Sequence, residues 1–67
     1  MTAHPPVVVH PPSPSGGRRV SAGGEILGLA YGPRDLVEFL RRAGLDEDAI
    51  EDPQLIEWRG GGPDVWE

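Results

Sequence analysis

Few side chains of this 67-residue chain have the types and spacing that chemistry requires. His4 and His10 could ligate a metal, but both lie in a stretch rich in proline and valine, and no third ligand is near them. A structural metal site needs three or four ligands at defined spacing. We therefore expect neither a metal site nor a cofactor.

Acidic and hydroxyl side chains offer no better case for catalysis. The acidic segment 46–52 lacks the alternating oxygen ligands and central glycine of a calcium-binding loop. Ser13, Ser15 and Ser21 belong to no nucleophile motif, and the chain contains no cysteine. The glycine clusters match no phosphate-binding loop. The sequence predicts that the protein is not an enzyme and has no evident small-molecule ligand.

Arginine and tryptophan are better suited to binding. The pairs Arg18-Arg19, Arg41-Arg42 and Trp58-Arg59 could form a nucleic-acid patch in which the indole stacks on bases. A net charge of −5 argues against such a patch. Trp66 follows a glycine-rich break and is either a core anchor or part of a contact surface, because aromatic residues are enriched at interfaces.

The composition predicts one small domain. A chain of this length buries only about 60% of its unfolded surface, so its stability should be a few kcal/mol. Without cysteine, no disulfide can reinforce the fold. The core is therefore small, or completed by a partner or a second copy. No targeting segment or membrane span is visible, and we expect a cytoplasmic protein.

The N-terminal third alternates strand signals with breaks. The composition of residues 1–17 indicates a Pro/Gly-rich arm that is loose over residues 1–6. Three consecutive valines indicate a strand at residues 7–10 within this arm. Because prolines bracket that strand, we expect it at a sheet edge; a disordered arm is the alternative. Residues 18–67 predict a compact domain. It begins with a hairpin in which Gly23-Gly24 joins the segment 18–22 to the strand 25–31.

The strand 25–31 is apolar on both faces, with Ile26, Gly28 and Ala30 on one and Leu27, Leu29 and Tyr31 on the other. Such a strand is usually central and covered twice. One helix can cover only one of these faces. We therefore expect the second face to meet loops, the C-terminal tail or another molecule.

The segment after Gly32-Pro33 predicts an amphipathic helix. Its apolar stripe comprises Leu36, Val37, Phe39, Leu40 and Ala43. Proline suits the first helical position, and Gly44 suits the C′ position. A short helical turn over 46–52 and a strand over 55–59 complete the chain. The predicted fold is α+β, with element order β-β-β-α-β and one helix on one face of a small antiparallel or mixed sheet.

Three stretches carry a resemblance: VVVHPPSPSGGRRV, GEILGLAYGPRDLVEFLRRAGL and LIEWRGGGPDVW. Together they resemble a family of short uncharacterised proteins of Streptomyces-type actinobacteria. The resemblance would cover nearly the whole chain. It implies no activity and no site residues.

The leading functional hypothesis is a small non-catalytic protein-interaction or regulatory module, in its simplest form a homodimer through the open sheet face. A nucleic-acid-associated regulator, possibly of a mobile element, is the alternative. The candidate interaction residues combine the second strand face with the C-terminal aromatics. They are Leu27, Leu29, Tyr31, Trp58, Arg59 and Trp66.

Overall fold

The computed structural model describes residues 6–66; His4 and the first five residues of the predicted loose segment lie outside that range. The described residues form four strands, an α-helix and a short 3₁₀ helix. In chain order they are β1 (Val7–Pro12), β2 (Arg18–Ala22), β3 (Glu25–Ala30), α1 (Pro33–Arg42), the 3₁₀ helix (Glu47–Glu51) and β4 (Ile56–Trp58).

The strands form one mixed sheet in the order β3-β2-β1-β4. β1 pairs antiparallel with β2 and parallel with β4, while β2 and β3 form an antiparallel hairpin. α1 connects the β3 edge of the sheet to the segment that returns to β4, and it packs on one face. The predicted α+β class and element order are confirmed.

The predicted edge position of the first strand is wrong. β1 lies inside the sheet, with Val7, Val8 and Val9 paired to strands on both sides. The flanking prolines are tolerated because β4 ends early: its pairing with β1 covers only the valines, and Pro11 and Pro12 lie beyond it. A missing N–H at those two positions therefore costs no ladder bond with β4. The compact unit begins at Val7, before residue 18.

The predicted central position of the third strand is also wrong, because β3 is an edge strand. Its strict alternation is interrupted by a bulge: Ser21 pairs with Ile26, but Val20 pairs with Gly28, which leaves Leu27 as an extra residue. A bulge of one residue reverses the facing of everything on one side of it. Ile26 consequently shares a face with Leu29 instead of with Gly28.

The hairpin and the helix ends follow local sequence rules. Gly23 and Gly24 have φ values of +58° and +84°, the positive values that a type I′ turn requires at both positions. Pro33 occupies the first turn of α1. At the other end, Gly44 N–H donates to Arg41 O at 3.0 Å and Leu45 N–H to Leu40 O at 2.8 Å, which is a Schellman motif with glycine at C′.

The core lies between α1 and the sheet. Its buried side chains come from all four strands, the helix and the 3₁₀ helix: Val7, Val9, Val20, Ala30, Leu36, Leu40, Ala49 and Ile56. Phe39 packs directly over the backbone of β3, where a Cβ on Gly28 would lie only 2.7 Å from its Cζ. Gly28 is thus required for close approach of helix and strand, and its φ of +154° also disfavours a side chain.

We predict that Gly28→Ala lowers the free energy of unfolding by about 1–3 kcal/mol, because the added methyl group collides with Phe39 in a packed core. Urea denaturation followed by tryptophan fluorescence measures the change. Gly62→Ala is the matched control, since a Cβ there meets nothing within 4 Å. Equal stabilities of the two variants would contradict the proposed close approach.

Candidate functional site

The two faces of the sheet are unlike. α1 lies on one of them, which we call the helix face, and the opposite face carries no helix. Side chains on this open face come from all four strands, and they are half-buried or exposed. The open-face residues are Val8, His10, Arg19, Ser21, Ile26, Leu29 and Glu57, as the pairing registers require.

Apolar exposure on this face concentrates at the β3 edge. Ile26 and Tyr31 are each 64% exposed, and Leu29 lies half-buried between them. A Cβ on Gly17 would lie 3.0 Å from Tyr31 and 3.1 Å from Leu29, so these two side chains adjoin each other beside the Gly17 backbone. We call Ile26, Leu29 and Tyr31 the β3 strip. Exposed apolar residues that cluster in this way are typical of contact surfaces.

A serine and a histidine also meet on the open face. His10 Nε2 lies 3.0 Å from Ser21 Oγ, a cross-strand pair that joins β1 to β2. No sequence motif predicts this contact, because the two residues are eleven positions apart and meet only through strand pairing. Nucleophilic catalysis would need, in addition, an orienting third group and oxyanion donors around a pocket. Neither cavity described below is lined by this pair, and its evident role is to satisfy two half-buried polar groups.

Arg18 is the most unusual residue of the helix face, since it is completely buried. Every N–H of its guanidinium donates to a backbone carbonyl. Nε donates to His10 O at 2.9 Å; Nη1 donates to Gly62 O at 2.9 Å and to Val65 O at 2.7 Å; Nη2 donates to Arg59 O at 2.7 Å and to Gly61 O at 2.8 Å. We call these five acceptors the carbonyl cage.

Both tryptophans flank the same guanidinium. Its central carbon lies 5.3 Å from the ring centroid of Trp58 and 5.8 Å from that of Trp66, within cation–π range. The two indoles contact each other edge to face, with centroids 6.1 Å apart. Trp66 Nε1 donates to Pro63 O at 2.7 Å, which fixes the indole against its own loop. The C-terminal segment is therefore anchored on Arg18.

The charge of Arg18 is stabilised without an acidic partner in its hydrogen-bond set. Carbonyl dipoles and the faces of two indoles surround the cation, and all five donors are used. Burial lowers the pKa of the guanidinium, because desolvation disfavours its charged form. A buried charge is tolerated only when its hydrogen-bonding capacity is filled, and the cage fulfils that condition.

The cage explains the glycine-rich run. Gly60 and Gly61 have φ values of +78° and +120°, which aim successive carbonyls inward and are strained for other residues. A Cβ on Gly60 would also lie 2.7 Å from Pro11 Cβ, on the β1 side. The glycine-rich segment after β4 is therefore a loop whose carbonyl groups accept hydrogen bonds from Arg18.

Two shallow cavities border this arrangement. One, of about 470 Å³, lies between Tyr31 and Trp66 and is floored by the turn 13–17. The other, of about 340 Å³, lies beside β4 and is lined by Ile50, Pro53 and Trp58 among others. Over residues 6–66, no cluster of three metal-ligating side chains occurs, and no helix is long and apolar enough to cross a membrane.

The structure distributes the predicted interaction residues over different environments. Leu27, Trp58 and Trp66 pack against the core. Leu29 and Tyr31 lie in the β3 strip. Arg59 is exposed and donates to Glu57.

Sequence reasoning missed two residues. Sequence reasoning places Ile26 on one strand face with Gly28 and Ala30, because the bulge that separates them has only a weak signal, the isolated Gly28 in a strand. Arg18 was treated as a surface charge. The signal that could have indicated its burial is the glycine triplet between two tryptophans, a segment that can present carbonyls and aromatic faces to a cation.

Comparison of the chain with family models, with curated proteins and with solved structures finds no match.

We predict that Arg18→Lys lowers the free energy of unfolding by about 2–4 kcal/mol, because an ammonium has three donors and lacks the planar fork that reaches five carbonyls. Hydrogen exchange should show the largest loss of protection in residues 59–66. Arg19→Lys, an exposed neighbour on the same strand, is the matched control and should change stability by less than about 0.5 kcal/mol. An Arg18→Lys variant as stable as the control would refute the anchoring role of the cage.

Proposed function

We propose that this protein is a small non-catalytic interaction module that binds protein through the β3 strip at the edge of its sheet. The observation that supports this proposal best is the β3 strip, in which Ile26 and Tyr31 are exposed and Leu29 is half-buried, on and directly after the edge strand β3. A second copy of the chain is the simplest partner. The proposal includes the cytoplasm as compartment, since a chain without cysteine gains nothing from an oxidising environment.

The rigid frame around the strip favours binding. β3 is held by the hairpin with β2 on one side and by Phe39 packed over Gly28 on the helix face. An interface built on such an element needs little ordering when a partner binds, so less of the interaction free energy is lost to entropy. Leu29 extends the apolar area beyond the two most exposed side chains.

The alternative, a nucleic-acid-associated regulator, has less support from the arrangement of arginines. Arg18 is enclosed in the carbonyl cage, and Arg41, Arg42 and Arg59 form ion pairs with glutamates. These four arginines do not present a shared basic surface. Retardation of random duplex at low salt, with a steep loss of binding as salt rises, would favour this alternative.

We expect light scattering to show a dimer of the wild-type chain at tens of micromolar. Ile26→Lys should weaken the association by at least about tenfold, because a charge must then be desolvated in an apolar contact. Circular dichroism should be unchanged, since Ile26 is exposed and its loss leaves the core intact.

Gln54→Lys is the matched control, because it adds the same charge at an exposed position remote from the strip. It should associate as the wild type does. A wild-type chain that stays monomeric at every concentration, with an identical Ile26→Lys variant, would remove the support for the proposal.

A further inference from the structure

The outer edge of β3 pairs with no strand among residues 6–66. Edge strands usually carry lysine, proline or inward-pointing charges that prevent pairing with another chain. The sequence EILGLA contains neither lysine nor proline. Two protective devices are present: Glu25, a charge on the helix-face side at the start of the strand, and the bulge, which turns Leu27 towards the core and leaves Ile26 and Leu29 on the open face. After Glu25 the strand carries no charged side chain that would oppose pairing with a further strand.

The bulge gives β3 a symmetric face pattern. Glu25 pairs with Ala22 on the helix-face side of β2, Gly28 meets Phe39, and Ala30 is buried in the core. From residue 25 to residue 30 the side chains thus point to the helix, open, helix, helix, open and helix faces. This order reads the same in both directions, which regular alternation over six residues would not allow.

A palindromic face pattern matters for pairing of identical strands. Residues directly opposite each other in an antiparallel pair point to the same face. When two β3 strands are paired antiparallel about a point between Leu27 and Gly28, every residue lies opposite a residue whose side chain points to the same face of the sheet. A shift by one residue places Ile26 opposite Gly28 or Ala30, whose side points to the other face. Only the centred register satisfies all six positions, and it has the two-fold symmetry of a closed dimer.

The centred register also suits the chemistry of the exposed groups. Ile26 of one copy lies opposite Leu29 of the other, so two apolar pairs form on the open face, bordered by Ser21 and Arg19. Glu25 of one copy is exposed and lies opposite the end of β3 of the other copy. The helix α1 of that second copy begins there and carries the exposed Arg34. The antiparallel arrangement therefore places a carboxylate of one copy on the side of the other copy that carries a guanidinium.

We propose that two copies of this chain pair edge to edge through β3, antiparallel and in the centred register, to form one continuous eight-stranded sheet. The inference rests on the proposed interaction function and adds to it the identity of the partner and the geometry of binding. In this geometry the open face of the dimer stays solvated over β1 and β4.

Distances between spin labels test the geometry. The chain has no cysteine, so Gln54→Cys provides a single labelling position in the turn two residues before β4. Edge pairing places seven interstrand spacings of about 4.8 Å between the two β4 strands, which puts the labels roughly 34 Å apart. Face-to-face stacking of two sheets, which pack about 10 Å apart, would bring the labels to between about 15 and 25 Å.

A second variant checks the same point without labels. Val8 lies on the open face of β1, two strands from the edge, so Val8→Lys should leave the association unchanged under edge pairing. Under face stacking it should weaken association as strongly as Ile26→Lys. A dimer with the short label distance and a sensitive Val8 overturns the edge pairing alone, whereas a chain that stays monomeric overturns both this inference and the proposed function.

Discussion

The fold depends on one buried cation. Arg18, at the start of β2, joins β1 to the loop after β4, whose carbonyls lie more than forty residues away in sequence. A domain of this size has little apolar surface to bury, and disulfides are not available to it. A guanidinium with five carbonyl acceptors and two indole faces replaces such cross-links, because four of its five hydrogen bonds join parts of the backbone more than forty residues apart.

The cage also determines what the C-terminal aromatics can do. Trp58 and Trp66 contact Arg18 and each other, so much of their ring surface lies in contacts within the protein. Trp66 stays only partly covered, at the mouth of the cavity that it shares with Tyr31. The most exposed large apolar side chains, Ile26 and Tyr31, lie in the β3 strip.

A single inserted residue gives β3 its character. Without the bulge at Leu27, Ile26 would point to the helix face and Leu27 to the open face. The strand would then present a different set of side chains to solvent. With the bulge, Leu27 joins the core, Gly28 admits Phe39, and Ile26 aligns with Leu29. Local backbone irregularity of this kind is common at sheet edges and re-aims side chains where contacts are made.

The sequence by itself determined the elements whose signals are local: the Gly23-Gly24 turn, α1 with its proline start and Gly44 end, and the α+β class. Their stability depends on residues within a few positions of one another. Strand order, the bulge and the burial of Arg18 were decided only by tertiary structure. They depend on which strands lie side by side and on carbonyls more than forty residues away from Arg18, and no local spacing in the chain records either.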